Sequence, residues 1–173
     1  MEGWRPNLTW VAADLAIGGS FPPGAAERLA CDHAVGAVID LRAEACDDRD
    51  ELAGCGISFL HLPTDDMLGV SQPMLEAGVR FAAAVRAAGR RLLIHCEHGI
   101  GRSATLALCV LVDRGLEPLD ALRTTKDARA VVSPSEAQYR AWIEWTQCRF
   151  PGTSAPSFHE FGMVAYRHLA AAG

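Results

Sequence analysis

No stretch of the 173 residues approaches the roughly 18 consecutive apolar residues of a membrane-spanning helix. Nor is there a run of lysines and arginines of the kind that tracks a phosphate backbone. Acidic residues number 21 against 16 Lys plus Arg, a net charge of -5, which argues against nucleic acid or an anionic membrane surface as partner. The opening residues, MEGWRPNLTWVAADL, lack the basic segment and continuous apolar core of a secretory leader, so a cytoplasmic protein is expected. Internal repeats and low-complexity tracts are absent, and only PGTSAPS at 151–157 has linker composition. The six cysteines, Cys31, Cys46, Cys55, Cys96, Cys109 and Cys148, show no paired spacing, which argues against a disulfide framework. Five read as small core or helix residues, and Cys96 stands apart. None of the six histidines is spaced with partners as a metal site.

What is present is enough apolar side chain, 50% of the total, to build one domain of ordinary size around a sheet. Short apolar runs at 15–19, 34–42, 57–63 and 91–96 read as strands, three of them near-continuously apolar as in a sheet covered on both faces. Helical patterns occupy 23–32, 45–56, 71–89, 103–115, 117–130 and 135–148, and FHEFGMVAYRHLAAAG at the end reads as a short extra helix. In the helix at 71–89, Ser71 suits the N-cap, Pro73 the first turn and Gly89 the C-terminus, with Leu75, Val79 and Phe81 toward the core. Strands alternating with helices predict an α/β fold with a central, mostly parallel sheet of four to five strands and helices on both faces. One domain over 1–150 followed by a linker and helix over 151–173 is the expected organisation.

The chemistry concentrates in HCEHGIGRS, 95–103. Ligands of open parallel sheets bind beyond the carboxyl ends of the strands, and Cys96 closes a predicted strand while a helix begins near Gly101 to Ser103. A loop curling between them aims the backbone N–H groups from Glu97 to Arg102 (through His98, Gly99, Ile100 and Gly101) at one point on a helix N-terminus, which is an anion site. Gly99 and Gly101 supply the freedom to take positive φ. Arg102 adds a charged fork matched to two oxyanion oxygens. A thiol beside such groups has its pKa drawn down to roughly 3.5 to 7.5, so Cys96 is the candidate nucleophile. Ser103 is placed to donate to its sulfur, and His95 to bond local backbone and fix the loop.

His-Cys, five residues, Arg-Ser resembles the signature of the cysteine-dependent protein tyrosine phosphatases, with no substitution. The resemblance, which runs from about 15 to 148, implies that family's fold, a phosphocysteine intermediate, no cofactor and no metal. It also implies an aspartate roughly thirty residues before the cysteine as general acid. Asp66 lies 30 positions upstream and Asp65 lies 31, which spacing does not separate. The flank PTDDMLGV resembles the Pro-Thr-x-Asp-Met stretch of small dual-specificity relatives acting on phosphatidylglycerophosphate, and this implies Asp66. VIDLRAE, 38–44, resembles a strand end facing the same crevice. There Arg42 and Glu44 are expected to pair, a substrate contact by Arg42 being the sharper alternative. VVSPSEAQYRAW, 131–142, resembles the segment before the family's last helix, with Gln138 expected to be solvated, a contact with the site being the alternative.

Both tyrosines, Tyr139 and Tyr166, follow the loop, whereas the larger tyrosine-specific enzymes carry one upstream to deepen the pocket. The resemblance therefore implies the shallow dual-specificity type. Glu97, His98 and Ile100 stand where phosphoinositide-directed relatives tend to carry lysines. A carboxylate about 8 Å from a second phosphate costs on the order of 0.5 to 2 kcal/mol, so isolated phosphate monoesters on protein are the expected substrates. A lipid or small-metabolite phosphate is the rival. A sulfurtransferase or arsenate reductase needs no upstream aspartate, and a phosphoprotein-binding module would dispense with Cys96 or the acid. The oligomeric state is not legible.

Overall fold

The computed structural model describes residues 4–170, so the last three residues of the predicted terminal helix lie outside it. Five strands, β1 (Leu8–Ala12), β2 (Leu15–Gly18), β3 (Val35–Arg42), β4 (Ser58–Thr64) and β5 (Arg91–His95), form one sheet in the order β1-β2-β5-β3-β4. All neighbours run parallel except β1 and β2. The α/β fold with a mostly parallel five-stranded sheet is as the sequence predicts. The addition is β1, four of whose five residues are apolar although only Val11 is buried.

The helices are α1 (Ala26–His33), α2 (Arg49–Gly54), α3 (Gln72–Ala87), α4 (Arg102–Asp113), α5 (Pro118–Ala128), α6 (Glu136–Arg149), α7 (Phe158–Ala165) and α8 (Arg167–Ala170). From β2 through α1 to β3, and through α2 to β4, the chain moves outward across the sheet; through α3 it returns over β3 to β5. Parallel crossovers are right-handed, so this reversal puts α3 on the face opposite α1 and α2. Side chains alternate accordingly. Leu15, Ile17, Ile39, Leu41, Leu92 and Ile94 join the large core under α3 to α7, while Ala16, Val38 and Leu93 join a smaller one under α1 and α2.

At the α3 start, Ser71 occupies the N-cap with extended backbone but makes no capping bond; Leu75 and Val79 are buried and Phe81 packs partly against the core. The predicted helix at 45–56 shortens to α2, because the Asp48 carboxylate accepts from the N–H groups of Asp50 and Glu51 and starts the helix there. The cysteines are all free, and only Cys96 and Cys109 are buried. Cys31 and Cys148 are exposed on helices and Cys55, at the C-cap of α2, packs partly against the smaller core, but Cys46 lies exposed in the loop before α2, so the reading of that one as a core or helix residue does not hold.

After the linker, α7 docks on α5 and α6 through Phe161, which is fully buried and lies 4.9 Å from the Tyr139 ring centroid. The Tyr166 hydroxyl donates to the Pro134 carbonyl at 2.7 Å. Lys126, the chain's one lysine, is buried beneath this segment. Its ammonium donates to the carbonyls of Ala130 (2.6 Å) and Val132 (2.7 Å) and to His168 Nδ1 (2.7 Å). Burial lowers its pKa to about 8.

Candidate active site

The alternation along β5 carries past its end and sorts the two residues of the motif. His95 falls on the α1–α2 face with Leu93; Cys96 falls with Ile94 on the side of α4. His95 is fully buried, with Nε2 2.7 Å from Asp47 Oδ2 and Nδ1 3.4 Å from the Cys96 carbonyl, so it fixes the loop both through that carbonyl and through an aspartate 48 residues away.

Cys96 is 3% exposed, and its own N–H reaches the Gly18 carbonyl on β2. Burial alone would push its thiol pKa up. The Ser103 hydroxyl, 3.4 Å from the sulfur, and the backbone N–H groups of Ser103, Gly99 and Ile100 outweigh that and bring it below the ordinary thiol value. Ser103 therefore stands where the sequence places it. Gly99 adopts φ +69, and a Cβ there would stand 2.5 Å from the Gly18 carbonyl carbon. Gly101 does not take positive φ: at φ -116 it is the N-cap of α4, and the reason for glycine there is close approach, since a Cβ would collide with Gln138 Oε1.

Arg102 opens α4, a helix whose first eleven residues are all buried. Its Nη1 donates to Glu44 Oε2 (2.7 Å) and to the Thr64 carbonyl (2.9 Å), and its Nη2 to Glu44 Oε1 (2.7 Å). Its Nε is buried with no partner among the described residues. Asp66, just past β4, holds a carboxylate oxygen 3.5 Å from Arg102 Nη2. The Asp65 carboxylate makes no hydrogen bond or ion pair among the described residues. The Asp66 loop is tied down where Ser135 Oγ donates to the Met67 carbonyl at 2.7 Å.

Three expectations are corrected. Arg42 does not pair with Glu44: its Nε and Nη2 fork onto Asp40, both at 3.0 Å, and Nη2 also meets Asp47 at 2.7 Å, because strand alternation turns it toward the α2 face. Glu44 lies beyond the strand and crosses to Arg102. Gln138 is buried rather than solvated; it completes a capping box with Ser135 and lies against Gly101, with Nε2 unpartnered among the described residues. Glu97 is not a free rim charge: Oε1 accepts from Ser20 Oγ at 3.2 Å and Oε2 lies 3.5 Å from Arg42 Nη1, a guanidinium it shares with Asp40 and Asp47. His98 has an exposed side chain, and the Ile100 carbonyl accepts from the Ser133 N–H at 3.0 Å.

Among the described residues two clusters have the donor set of a metal site, Asp40 with Cys46 and His61 and Asp40 with Asp47 and His95, their donor atoms within 4.8 Å of one another. Arg42 already supplies the positive charge to Asp40 that they share, so these clusters do not fit a metal in addition.

The Arg102 fork draws the Glu44 pKa from 4.5 down to about 2. A depressed carboxylate stabilises the fold above its ordinary pKa and loses that contribution as pH falls from about 4.5 toward 2. Urea midpoints taken across that window are expected to fall more steeply for the parent protein than for Glu44→Gln.

Comparison with known proteins places this geometry. The family model "Dual specificity phosphatase, catalytic domain" matches residues 23–148. The mouse protein phosphatidylglycerophosphatase and protein-tyrosine phosphatase 1 is 31% identical over 125 residues, 68% of this chain and 65% of that protein. Mouse dual specificity protein phosphatase 2 is 38% identical over 80 residues, 44% of this chain and 25% of that one. The chain thus spans less than two thirds of the length of these relatives. The crystal structure of PTPMT1 in complex with PI(5)P shares the fold with a TM-score of 0.76 at 24% identity, covering 82% of this chain and 95% of that one. The family match takes in α1 to α6 and every residue of the cysteine loop, and by it the chain belongs to the dual specificity phosphatase catalytic-domain family.

Proposed function

We propose that this chain hydrolyses phosphate monoesters through a phosphocysteine intermediate on Cys96. The observation that carries the reading is a buried thiol drawn toward its anion by Ser103 and the loop amides, beside an arginine whose Nε faces no partner. The thiolate attacks phosphorus in line, forming the S–P bond as the P–O ester bond breaks, and the leaving oxygen takes the proton of Asp66. Arg102 and the loop N–H groups hold the non-bridging oxygens. Water then attacks phosphorus, gives its proton to Asp66 and releases phosphate and thiolate.

Asp66 takes the acid role over Asp65 because its carboxylate is the one at Arg102. Asp66→Ala is expected to lower kcat by about 100-fold or more, and by more on phenyl phosphate than on p-nitrophenyl phosphate, whose leaving group needs less help. Asp65→Ala should stay near the parent rate; the reverse pattern would move the role to Asp65.

Phosphotyrosine and phosphoserine or phosphothreonine on protein are the substrates we propose, in keeping with a loop free of lysine. A second reading, a phosphate monoester on a lipid, is favoured by the exposed Met67 (62%) and Leu68 (54%) directly beside the acid and agrees with the name of the mouse relative. Phosphate release from phosphopeptides and from micellar phosphatidylglycerophosphate decides between them: a kcat/KM tenfold or more higher on the lipid would replace the protein reading.

A further inference from the structure

Behind the cysteine loop sits a second arginine that the sequence reading passed over. Arg129 is the C-cap of α5 and is 8% exposed. No carboxylate lies within ion-pair distance of it among the described residues. Its donors go instead to neutral oxygens: Nε to the Gly99 carbonyl (2.7 Å), Nη2 to the His98 carbonyl (3.0 Å) and Asn7 Oδ1 (2.7 Å), and Nη1 to Thr9 Oγ1 (3.2 Å).

The two carbonyls matter because of what lies across their peptide planes. In a trans peptide the C=O and the following N–H point in opposite directions, and no peptide among the described residues is cis. Turning the His98 and Gly99 oxygens toward Arg129 turns the N–H groups of Gly99 and Ile100 the other way. Those are two of the three backbone donors that act on the Cys96 sulfur. Gly99 at φ +69 lets both planes face the same side, the arrangement that makes an anion-binding concavity. Each of the two peptide groups therefore carries a guanidinium on its oxygen and turns its nitrogen to the side of the Cys96 sulfur, and a positive charge on the oxygen side strengthens the N–H as a donor.

Resting on the phosphocysteine reading above, we propose that Arg129 is a positioning residue for the reaction: it orients and polarises the 98–99 and 99–100 peptide groups so that their N–H groups stay aimed at the Cys96 sulfur and the phosphate oxygens, without itself touching substrate. A plain brace between the loop and β1 would use the same contacts. The two roles differ in what they do to the thiol.

The test is the pH dependence of Cys96 alkylation by iodoacetamide in the full chain, alongside kcat and KM on p-nitrophenyl phosphate. Arg129→Met is expected to move the alkylation midpoint up by about one pH unit and to lower kcat by about tenfold. Arg129→Lys keeps the charge but cannot fork onto two carbonyls; its midpoint should stay near the parent's while kcat still falls. Thr9→Val, which removes a contact to Arg129 alone, should lower the urea midpoint and leave the alkylation midpoint in place. If Arg129→Met loses stability with an unmoved alkylation midpoint, Arg129 is a brace and the proposal fails. Should Arg129→Met not fold, a parent-like kcat in Arg129→Lys overturns it equally. The alkylation midpoint is read without turnover, so a failure of the phosphocysteine reading, seen as full activity in a variant lacking the thiol, remains separate.

Discussion

Cys96→Ser is expected to release phosphate from p-nitrophenyl phosphate no faster than about one ten-thousandth of the parent rate. The substitution changes one atom in a site whose other parts stay in place, so the loss isolates the nucleophile. A hydroxyl holds its proton far more tightly than a thiol, and the donors that bring Cys96 below its ordinary pKa are three backbone N–H groups and one hydroxyl. Those groups are too few to ionise serine at neutral pH. They are also undisturbed by the change, so the variant should still bind inorganic phosphate in a calorimetric titration. A variant that keeps turnover would remove Cys96 from the chemistry, whereas one that loses both turnover and phosphate binding would show that the loop had collapsed.

Arg102→Lys should cost about 100- to 1000-fold in kcat/KM, nearly as much as removing the charge altogether. The guanidinium does three things at once. It forks onto Glu44, caps the Thr64 carbonyl and leaves Nε for substrate. A lysine ammonium is a single point and cannot hold all three directions. The Glu44 carboxylate, released from its fork, would then be held by a point charge at best and be freer to turn toward the incoming phosphate. The double variant Arg102→Lys with Glu44→Gln is therefore expected to recover part of the KM rise but little of kcat. Steady-state kinetics on the two variants separates the electrostatic share of the loss from the geometric one; equal kcat and KM in both would leave Glu44 without a part in it.

The loop from Cys96 to Ser103 was legible because everything it needs is local: a strand that ends, a glycine that turns and a helix that begins. The contacts that hold it were not. Asp47 reaches His95 across 48 positions and Glu44 reaches Arg102 across 58, and within EACDDRD no spacing rule says which acid turns toward which base. Strand alternation did contain part of the answer, since Asp40 and Arg42 share a face with Val38 and so cannot easily share one with Glu44's partner. Gln138 was misplaced for a related reason. A glutamine at the third position of a helix satisfies a capping box wherever the helix lies, and only the approach of Gly101 buries it. A second glycine in the loop, needed there for room rather than for φ, was the one trace of that approach in the sequence. β1 escaped because only Ala13 and Asp14 separate it from β2, with no glycine or proline to mark the turn between the two strands.

The single buried lysine has a practical meaning. With all three hydrogens of its ammonium engaged and its pKa near 8, Lys126 would be a ready nucleophile toward acylating reagents if they could reach it. The buried ammonium, held by His168 from α8, is expected to meet them when that contact opens. Slow acylation of this amine is therefore expected to report the opening of the C-terminal segment, becoming independent of reagent concentration once reagent is high enough to trap every opening.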